Sequence, residues 1–219
     1  MLNWSEIDTV LLDMDGTLLD LHFDNHFWME HTPIAYAQKN GMSVEQAKVL
    51  LKKRNDAVYG QLEWYCLDYW EQELDLPIVE LKQQISHLIQ LRDDTLPFLD
   101  ALKAANKRVV LVTNAHPDSL SLKVEKTQLD SHIDELISCH IYGVSKESQS
   151  LWQQLQQDLG FDPKRTLFVD DSERILVSAQ TFGIKHLLAV SNPDSKKPEQ
   201  RIKGFVNVSD YRTLLQDIT

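Results

Sequence analysis

Two aspartates separated by one residue stand at the end of the first apolar run of the chain. The run Thr9–Leu12 leads into Asp13, Met14, Asp15 and Gly16. One carboxylate of such a pair can attack phosphorus and form an acyl phosphate, while the other protonates the leaving oxygen and then activates water. Carboxylate oxygens also suit Mg²⁺, and the glycine lets the backbone approach a phosphate and offer it N–H groups. The pattern indicates phosphoryl transfer; the alternative is an acidic turn that merely ends a strand.

Five short apolar runs predict the strands that would carry these residues. They show little polar alternation, which is typical of parallel strands covered by helices on both faces. The predicted strands are Thr9–Leu12, Arg108–Val112, Leu136–Cys139, Thr166–Val169 and His186–Val190. Helical patterns lie between them at Pro97–Asn106, from Pro117 onward, at Leu151–Leu159 and at Ile175–Phe182. This alternation predicts an α/β fold with a Rossmann-like parallel sheet in three α/β/α layers.

The segment from Leu21 to Arg92 interrupts the alternation, because it contains almost no strand-like run. Its patterns predict helices, and Ser43 followed by Gln46 predicts a capping box. The predicted helices are Asp24–Asn40, Ser43–Tyr59, Glu63–Leu74 and Pro77–Gln90. We therefore predict a core domain of residues 1–20 and 93–219 and an α-helical cap subdomain of residues 21–92, inserted after the first strand. The polar segment Ser191–Lys203 predicts a mobile loop before a short terminal helix.

The charge balance of the chain restricts its partners. The 219 residues carry a formal net charge of −11, which disfavours binding to nucleic-acid backbones and anionic lipid. The two cysteines, Cys66 and Cys139, form no C-x-x-C pair, and Glu6 and Asp8 stand where a signal peptide carries basic residues. We expect free thiols and a cytoplasmic protein that is a monomer or weak homodimer. Its expected partner is a small-molecule substrate, with no nucleic-acid polymer and no membrane.

The run from Asp13 to Leu18, D-M-D-G-T-L, resembles the first motif of the haloacid dehalogenase (HAD) superfamily. The later motifs of that superfamily have counterparts in the expected order. Thr113-Asn114 ends the second predicted strand, Lys146 precedes a helix, and Asp170-Asp171 ends the fourth predicted strand. Each later motif is weak by itself, but four in order at strand ends or helix starts are specific. The helical insertion also matches the cap domain of one large HAD class, so the resemblance covers the whole chain.

The resemblance implies a role for each motif residue. Asp13 is the implied nucleophile, Asp15 the general acid and base, and Lys146 the group that neutralises phosphate and keeps Asp13 ionised. The implied phosphate ligands are Met14, Gly16, Thr113, Asn114 and Lys146, and the implied Mg²⁺ ligands are Asp13, the Asp15 carbonyl, Asp171 and, in support or through water, Asp170. Where many members carry a further Asp or Asn, this chain has Ile175 and Leu176, which leaves the strength of Mg²⁺ binding open.

Longer strings give a closer resemblance, to bacterial purine-nucleotide phosphatases that act on GMP and IMP. The strings are DMDGTLLDLHFDNHFW, LEWYCLDYW, TNAHP and FVDDSERIL. They imply 5′-nucleotidase activity on purine monophosphates. The aromatic segment from Glu63 to Trp70 could then stack a purine on Trp64 or Tyr65, with Asp68 accepting a hydrogen bond from the base. The alternative is that these aromatic residues only pack the cap.

Other activities share these motifs. They are a phosphatase or phosphomutase for a sugar phosphate, a 2-haloacid dehalogenase and a non-catalytic HAD binding protein. Asp15 argues against a dehalogenase, which needs no second catalytic carboxylate. His22 and His26 have a spacing that suits zinc, but solvent-facing or substrate-adjacent histidines are favoured because no further ligands cluster nearby in sequence. His116 is expected either near the site or in packing at the start of a helix.

Overall fold

The computed structural model describes residues 2–219 and contains one parallel sheet of six strands. The strands are β1 Thr9–Leu12, β2 Arg108–Thr113, β3 Glu135–Ser138, β4 Thr166–Asp170, β5 His186–Val190 and β6 Val206–Val208. Their order across the sheet is β3-β2-β1-β4-β5-β6. The direction in which strands are added reverses between β1 and β4, and ligands bind at such a reversal, beyond the carboxyl ends of the strands.

Helices cover both faces of this sheet. They are α7 Thr95–Ala104, α8 Pro117–Thr127, α9 Gln149–Leu159 and α10 Glu173–Phe182. Because neighbouring residues of a strand point to opposite faces, Val10 and Leu12 of β1 pack in one apolar cluster with Phe98 of α7. Leu11 packs in a second cluster with Trp152 of α9. The predicted three-layer α/β/α fold is therefore confirmed.

Helices fill the chain between β1 and β2, and we call residues 21–92 the helical insertion. Its helices are α1 His22–His26, a π-helical turn at Phe27–His31, α2 Thr32–Asn40, α3 Val44–Val58, α4 Leu62–Tyr65, α5 Leu67–Leu74, α6 Ile78–Gln84 and a 3₁₀ turn at Ser86–Leu88. The capping box is present, because Gln46 N–H donates to Ser43 Oγ while Ser43 N–H donates to Gln46 Oε1. Among residues 2–219, no helix has the length and apolarity required to cross a membrane.

The predicted helix Glu63–Leu74 is interrupted at Cys66. This residue is extended, with φ −85° and ψ 115°, and it separates α4 from α5. The Trp64 carbonyl accepts a hydrogen bond from Nε1 of Trp70 at 3.0 Å, so an indole takes the place of a helical N–H donor. The single predicted helix is therefore two shorter helices, α4 and α5.

The C-terminal region contains a strand that the sequence does not reveal. β6 has only three residues and follows a polar stretch that contains proline, so its own pattern is too short to indicate a strand. Its pairing with β5 carries the sheet to a sixth strand. In the loop before it, Asp194 is buried and accepts a hydrogen bond from Asn25 Nδ2 at 2.7 Å, which ties that loop to the helical insertion.

Candidate active site

Three neighbouring strands deliver polar side chains to one crevice. Asp13 follows β1, Thr113 ends β2, and Asp170 ends β4 with Asp171 directly after it. In the parallel register, Leu12 lies opposite both Leu111 and Val169, so the residues that follow emerge side by side. All four polar side chains line one cavity between the sheet edge and the helical insertion. The site therefore lies where the order of the strands predicts it.

Lys146 is buried between two of these carboxylates. Its Nζ lies 2.5 Å from Asp13 Oδ1 and 2.8 Å from Asp170 Oδ2, and its side chain is 1% exposed. Burial raises the pKa of Asp13 to about 6 although Lys146 lowers it. Burial also opposes a charge on Lys146, but the two carboxylates outweigh it and hold the pKa of the ammonium well above its usual value. Near neutral pH the pair consequently carries an ammonium and an ionised Asp13.

The backbone of Lys146 is held from both sides. Its N–H donates to Asn114 Oδ1 at 2.9 Å, and its carbonyl accepts from Trp152 Nε1 at 3.0 Å. The other end of the Asn114 amide donates to Glu147 Oε2 at 3.1 Å. Asn114, which we predicted as a phosphate ligand, therefore uses both ends of its amide to position Lys146 and Glu147.

Asp13, Asp170 and Asp171 bring carboxylate oxygens within 4.8 Å of one another. Asp170 is fixed by Lys146 and by the Ser172 N–H, which donates to its Oδ1 at 2.8 Å. Burial raises the pKa of Asp171 well above its usual value, and the charges of Asp170 and Asp13 raise it further. A hard divalent cation suits such a group, because it takes oxygen ligands and offsets their mutual repulsion.

Gly16 is required here by space and by backbone conformation. Its φ is +86°, and a Cβ at this position would lie 2.7 Å from Asp171 Oδ2 and 2.9 Å from Pro193 Cβ. Gly16 is one of the predicted phosphate-binding residues, and its own N–H donates to the Leu19 carbonyl at 2.8 Å. Met14, predicted in the same role, has a buried side chain and gives a backbone hydrogen bond that lowers the pKa of Asp13. The Gly16 N–H is therefore engaged within the loop, and the predicted phosphate-binding roles of Gly16 and Met14 stay predictions.

Thr113 keeps a donor for the cavity. Its Oγ1 accepts the Ala115 N–H at 3.0 Å, which leaves the hydroxyl proton free to turn toward a bound anion. The side chain is 2% exposed and lines the cavity. A threonine at the end of β2 can therefore bond an anion that lies beside Asp13.

The cavity has a volume of about 820 Å³, which is within the range of small-molecule sites. Its wall on the side of the helical insertion is aromatic and includes Trp28, Trp64, Tyr65 and Trp70. Trp64 Nε1 donates to Asn55 Oδ1 at 2.7 Å, and the Tyr65 hydroxyl donates to Glu147 Oε1 at 2.9 Å.

Asp68 and the two early histidines lie elsewhere. Asp68 is 67% exposed, and its Oδ2 lies 3.5 Å from His116 Nε2. It is not among the residues that line this cavity. Among residues 2–219, the groups of side chains that could hold a metal do not include His22 or His26. His116 both lines the cavity and caps α8, because its Nδ1 accepts the Asp118 N–H at 3.3 Å.

A family model described as haloacid dehalogenase-like hydrolase matches residues 7–183. The chain belongs to this family. It is 46% identical over 215 residues to the GMP/IMP nucleotidase YrfG of Escherichia coli K12, covering 98% of this chain and 97% of that one. The expectation of a HAD-type phosphoric monoester hydrolase is confirmed at this level by the family and the relative.

Solved structures of the HAD family share the fold. A HAD phosphatase from Thermococcus onnurineus superposes with a TM-score of 0.79 at 21% identity, over 96% of this chain and 97% of that one. An L-2-haloacid dehalogenase from Xanthobacter autotrophicus gives a TM-score of 0.66 at 18% identity, over the same shares of the two chains. Because both a phosphatase and a dehalogenase match, these structural similarities establish the fold alone. They do not distinguish between the two reactions.

Sequence reasoning missed a chain of buried ion pairs beside the HAD motifs. Lys123 Nζ lies 2.6 Å from Asp15 Oδ1 and 2.6 Å from Asp24 Oδ2, and Lys82 Nζ lies 2.8 Å from Asp24 Oδ1. The two lysines are 1% and 2% exposed. Lys123 belongs to α8 of the core, whereas Asp24 and Lys82 belong to the helical insertion. The ion pairs therefore join the insertion to Asp15.

Burial and charge act differently on the two carboxylates of this chain. Burial raises the pKa of Asp15 to about 6, against the opposing effect of Lys123. At Asp24, burial also favours the neutral acid, but Lys123 and Lys82 together outweigh it and hold its pKa well below the usual range. The only sequence signal for these contacts is that Ser119 and Lys123, four residues apart, share a face of α8. Because a lysine on a helix normally extends into solvent, the sequence by itself predicts an exposed Lys123.

Replacing Lys123 by methionine should lower the free energy of unfolding by about 3–5 kcal/mol, because Asp15 and Asp24 lose a buried counter-ion. Urea unfolding of the metal-free protein measures this. Lys52→Met is the matched control, since it removes a lysine 2.6 Å from Asp56 in a pair whose side chains are 74% and 60% exposed. The control should change stability by no more than about 0.5 kcal/mol. Equal losses in the two variants would contradict the role of Lys123.

Proposed function

We propose that this chain hydrolyses purine nucleoside 5′-monophosphates to nucleoside and phosphate, with Mg²⁺ and through a phosphorylated Asp13. The observation that carries the proposal is the position of Asp13. It is paired with buried Lys146, grouped with Asp170 and Asp171, and faces an aromatic cavity. The GMP/IMP nucleotidase relative supports the substrate class. The free thiols of Cys66 and Cys139 agree with a reducing, cytoplasmic compartment, which is part of the proposal.

Asp13 acts as the nucleophile in this scheme. With a pKa of about 6 the carboxylate is mostly ionised at neutral pH, and Lys146 fixes the orientation of its Oδ1. An Asp13 oxygen bonds to phosphorus as the bond from phosphorus to the nucleoside 5′-oxygen breaks. The Lys146 ammonium and the Thr113 hydroxyl offset the negative charge on the phosphate oxygens.

Asp15 moves the protons. Its pKa of about 6 leaves part of the population protonated near neutral pH, and Lys123 holds its Oδ1 at 2.6 Å. In the first step the Asp15 proton passes to the departing 5′-oxygen. In the second step the ionised Asp15 takes a proton from water, which attacks phosphorus and releases phosphate and free Asp13. One water is consumed, and the enzyme returns to its starting state.

The carboxylates fit a divalent cation. Asp13 and Asp171 would hold Mg²⁺, with Asp170 in support and the Asp15 carbonyl as the remaining protein ligand that the family resemblance implies. When bound, the ion supplies positive charge that draws in the phosphate and offsets the charge of its oxygens. Lys146 already neutralises part of the Asp13 and Asp170 charge.

The helical insertion selects the leaving group in this proposal and acts as a cap over residues 1–20 and 93–219. The phosphate end is held by core residues, so the base must meet the aromatic wall. Trp64 and Tyr65 offer ring surface to a purine, and their polar atoms are already bonded to Asn55 and Glu147. A purine stacked there gains about 1–3 kcal/mol, the size of a base stack on an aromatic side chain in single-strand binders.

The substrate assignment is tested by phosphate release from a panel of monoesters, measured with Mg²⁺ and then with EDTA. The panel holds IMP, GMP, AMP, pyrimidine monophosphates, sugar phosphates and p-nitrophenyl phosphate. We expect the highest kcat/KM for IMP and GMP and loss of release in EDTA. If a sugar phosphate gave the highest kcat/KM, the phosphatase mechanism would stand but the nucleotide assignment would be wrong. Phosphate release that continues in EDTA would contradict the proposed requirement for Mg²⁺.

Trp64→Ala provides the internal control for the base. It should raise KM for IMP by about tenfold, the loss of one stacking interaction. KM for ribose 5-phosphate, which has no base, should not change. An equal effect on both substrates would mean that Trp64 only supports the wall of the cavity.

Asp15→Asn separates the two proton transfers. With p-nitrophenyl phosphate, whose leaving group needs no acid, the variant should release a burst of p-nitrophenol equal to the enzyme concentration and then turn over about 10²–10⁴-fold more slowly than wild type. With IMP it should show no burst, because the 5′-oxygen leaves poorly without a proton. Asp13→Asn should give no burst with either substrate. Wild-type turnover of Asp15→Asn with IMP would contradict the proposed role of Asp15.

A further inference from the structure

A second group of side chains of the types that can bind a metal lies at the seam between the helical insertion and the core. Cys66, His116 and His140 bring one ligand atom each within 4.8 Å of one another. Cys66 stands at the break between α4 and α5, His116 directly precedes α8, and His140 lies in the 3₁₀ turn that follows β3. The group shares no residue with the carboxylates around Asp13. Thiolate and imidazole are ligands that zinc prefers over the hard cations suited to carboxylates.

His140 has the hydrogen-bond arrangement of a metal ligand. Its Nε2 lies 3.2 Å from the Asn114 carbonyl, which can only accept, so Nε2 carries the proton and Nδ1 keeps the lone pair. Metal-binding histidines commonly donate their other ring N–H to a carbonyl or carboxylate, which fixes the ring.

His116 is the centre of the group. Its side chain is only 11% exposed, its ring centroid lies 5.1 Å from that of His140, and its Nε2 lies 3.5 Å from Asp68 Oδ2. The Asp118 carboxylate lies 3.6 Å from Nδ1. His116 Nδ1 accepts the Asp118 N–H at 3.3 Å, so a cation at Nε2 requires the ring proton to move to Nδ1. That hydrogen bond is then lost, and Nδ1 donates to the Asp118 carboxylate instead. The Asp68 carboxylate forms a separate group with His116 and Asp118.

The break in the predicted helix brings Cys66 to this seam. Its extended backbone separates α4 from α5, and its thiol is free and half-buried. Binding of zinc replaces the S–H bond by a bond from sulfur to zinc and releases one proton to solvent, with no change in oxidation state.

We propose that Cys66, His116 and His140 bind zinc, with the fourth position open to a further ligand, and so clamp the helical insertion onto the core. Cys66 belongs to the insertion, whereas His116 and His140 follow the core strands β2 and β3. Both histidine ligands are linked to the active-site edge, because His116 follows Asn114 by two residues and His140 donates to the Asn114 carbonyl. A cation here holds the aromatic wall over the cavity. This inference concerns metal binding and holds whatever the substrate is.

The test uses the full chain with excess Mg²⁺, which occupies the carboxylate site, titrated with Co²⁺ as a coloured substitute for Zn²⁺. We expect one equivalent of Co²⁺ to produce a charge-transfer absorption from thiolate to cobalt in the near ultraviolet, and Zn²⁺ to abolish it by displacement. Cys66→Ser should lose the band. Cys66→Ser and His140→Gln should each weaken binding by about tenfold or more.

Two variants outside the group serve as controls. Cys139→Ala removes a fully buried thiol whose pKa burial raises to about 12, and His132→Gln removes a histidine that is 31% exposed and pairs with Asp100. Both should keep the band and the affinity. No thiolate band in the wild type, or unchanged affinity in Cys66→Ser and His140→Gln, would overturn the site.

Hydrogen exchange tests the clamp separately from binding. With Zn²⁺, amides of residues 62–74 should exchange more slowly in the wild type, because opening of the insertion must first break the metal bonds. The same amides should be unaffected by Zn²⁺ in Cys66→Ser. Zinc binding through Cys66 without slower exchange would contradict the clamp.

Discussion

The ammonium of Lys146 buried among carboxylates is the interaction on which the site depends. Removing water from Lys146, Asp13 and Asp170 carries a desolvation cost that their attraction offsets only with good geometry. The chain supplies that geometry through backbone contacts, because Asn114 and Trp152 hold the N–H and carbonyl of Lys146. The pKa of Asp13 still rises to about 6. This cost to stability agrees with the proposed role of Asp13 as a nucleophile.

The same logic extends from the sheet edge into the helical insertion. Lys123 and Lys146 have equivalent surroundings, because each is buried and bridges two carboxylates. Lys146 bridges Asp13 and Asp170, and Lys123 bridges Asp15 and Asp24. The difference is that one of the carboxylates held by Lys123, Asp24, belongs to the insertion. A contact that orients the proposed proton donor thus also ties the aromatic wall to the core. Tyr65 makes a second link across the seam through Glu147.

The sheet and the motif carboxylates could be predicted because their signals are local. Buried parallel strands have continuous apolar runs, and the carboxyl ends of such strands meet at one edge, so placing Asp13, Thr113 and Asp170 together needed only the strand assignments. β6 could not be predicted in this way, because three residues are too few to show an apolar pattern and the strand depends on its pairing with β5. The break at Cys66 could not be predicted either, because it depends on a side-chain contact. The indole of Trp70 donates to the Trp64 carbonyl that the break leaves without a helical partner.

Contacts between distant segments account for the rest of what sequence could not supply. Lys123 and Lys82 have the composition of surface lysines, and only the folded insertion shows that both meet Asp24. The engaged N–H of Gly16 is likewise fixed by the return of the chain at Leu19. The resemblance implies that Gly16 binds phosphate, which stays a prediction, and the structure adds that a side chain at this position would meet Asp171.

Acid quenching of a single turnover with ³²P-labelled IMP tests most directly whether Asp13 is the nucleophile. Borohydride reduction converts an aspartyl phosphate to homoserine, and peptide sequencing then locates it. The account predicts protein-bound label early in the turnover and homoserine at position 13. Efficient hydrolysis with no protein-bound label, or label on any other residue, would contradict it.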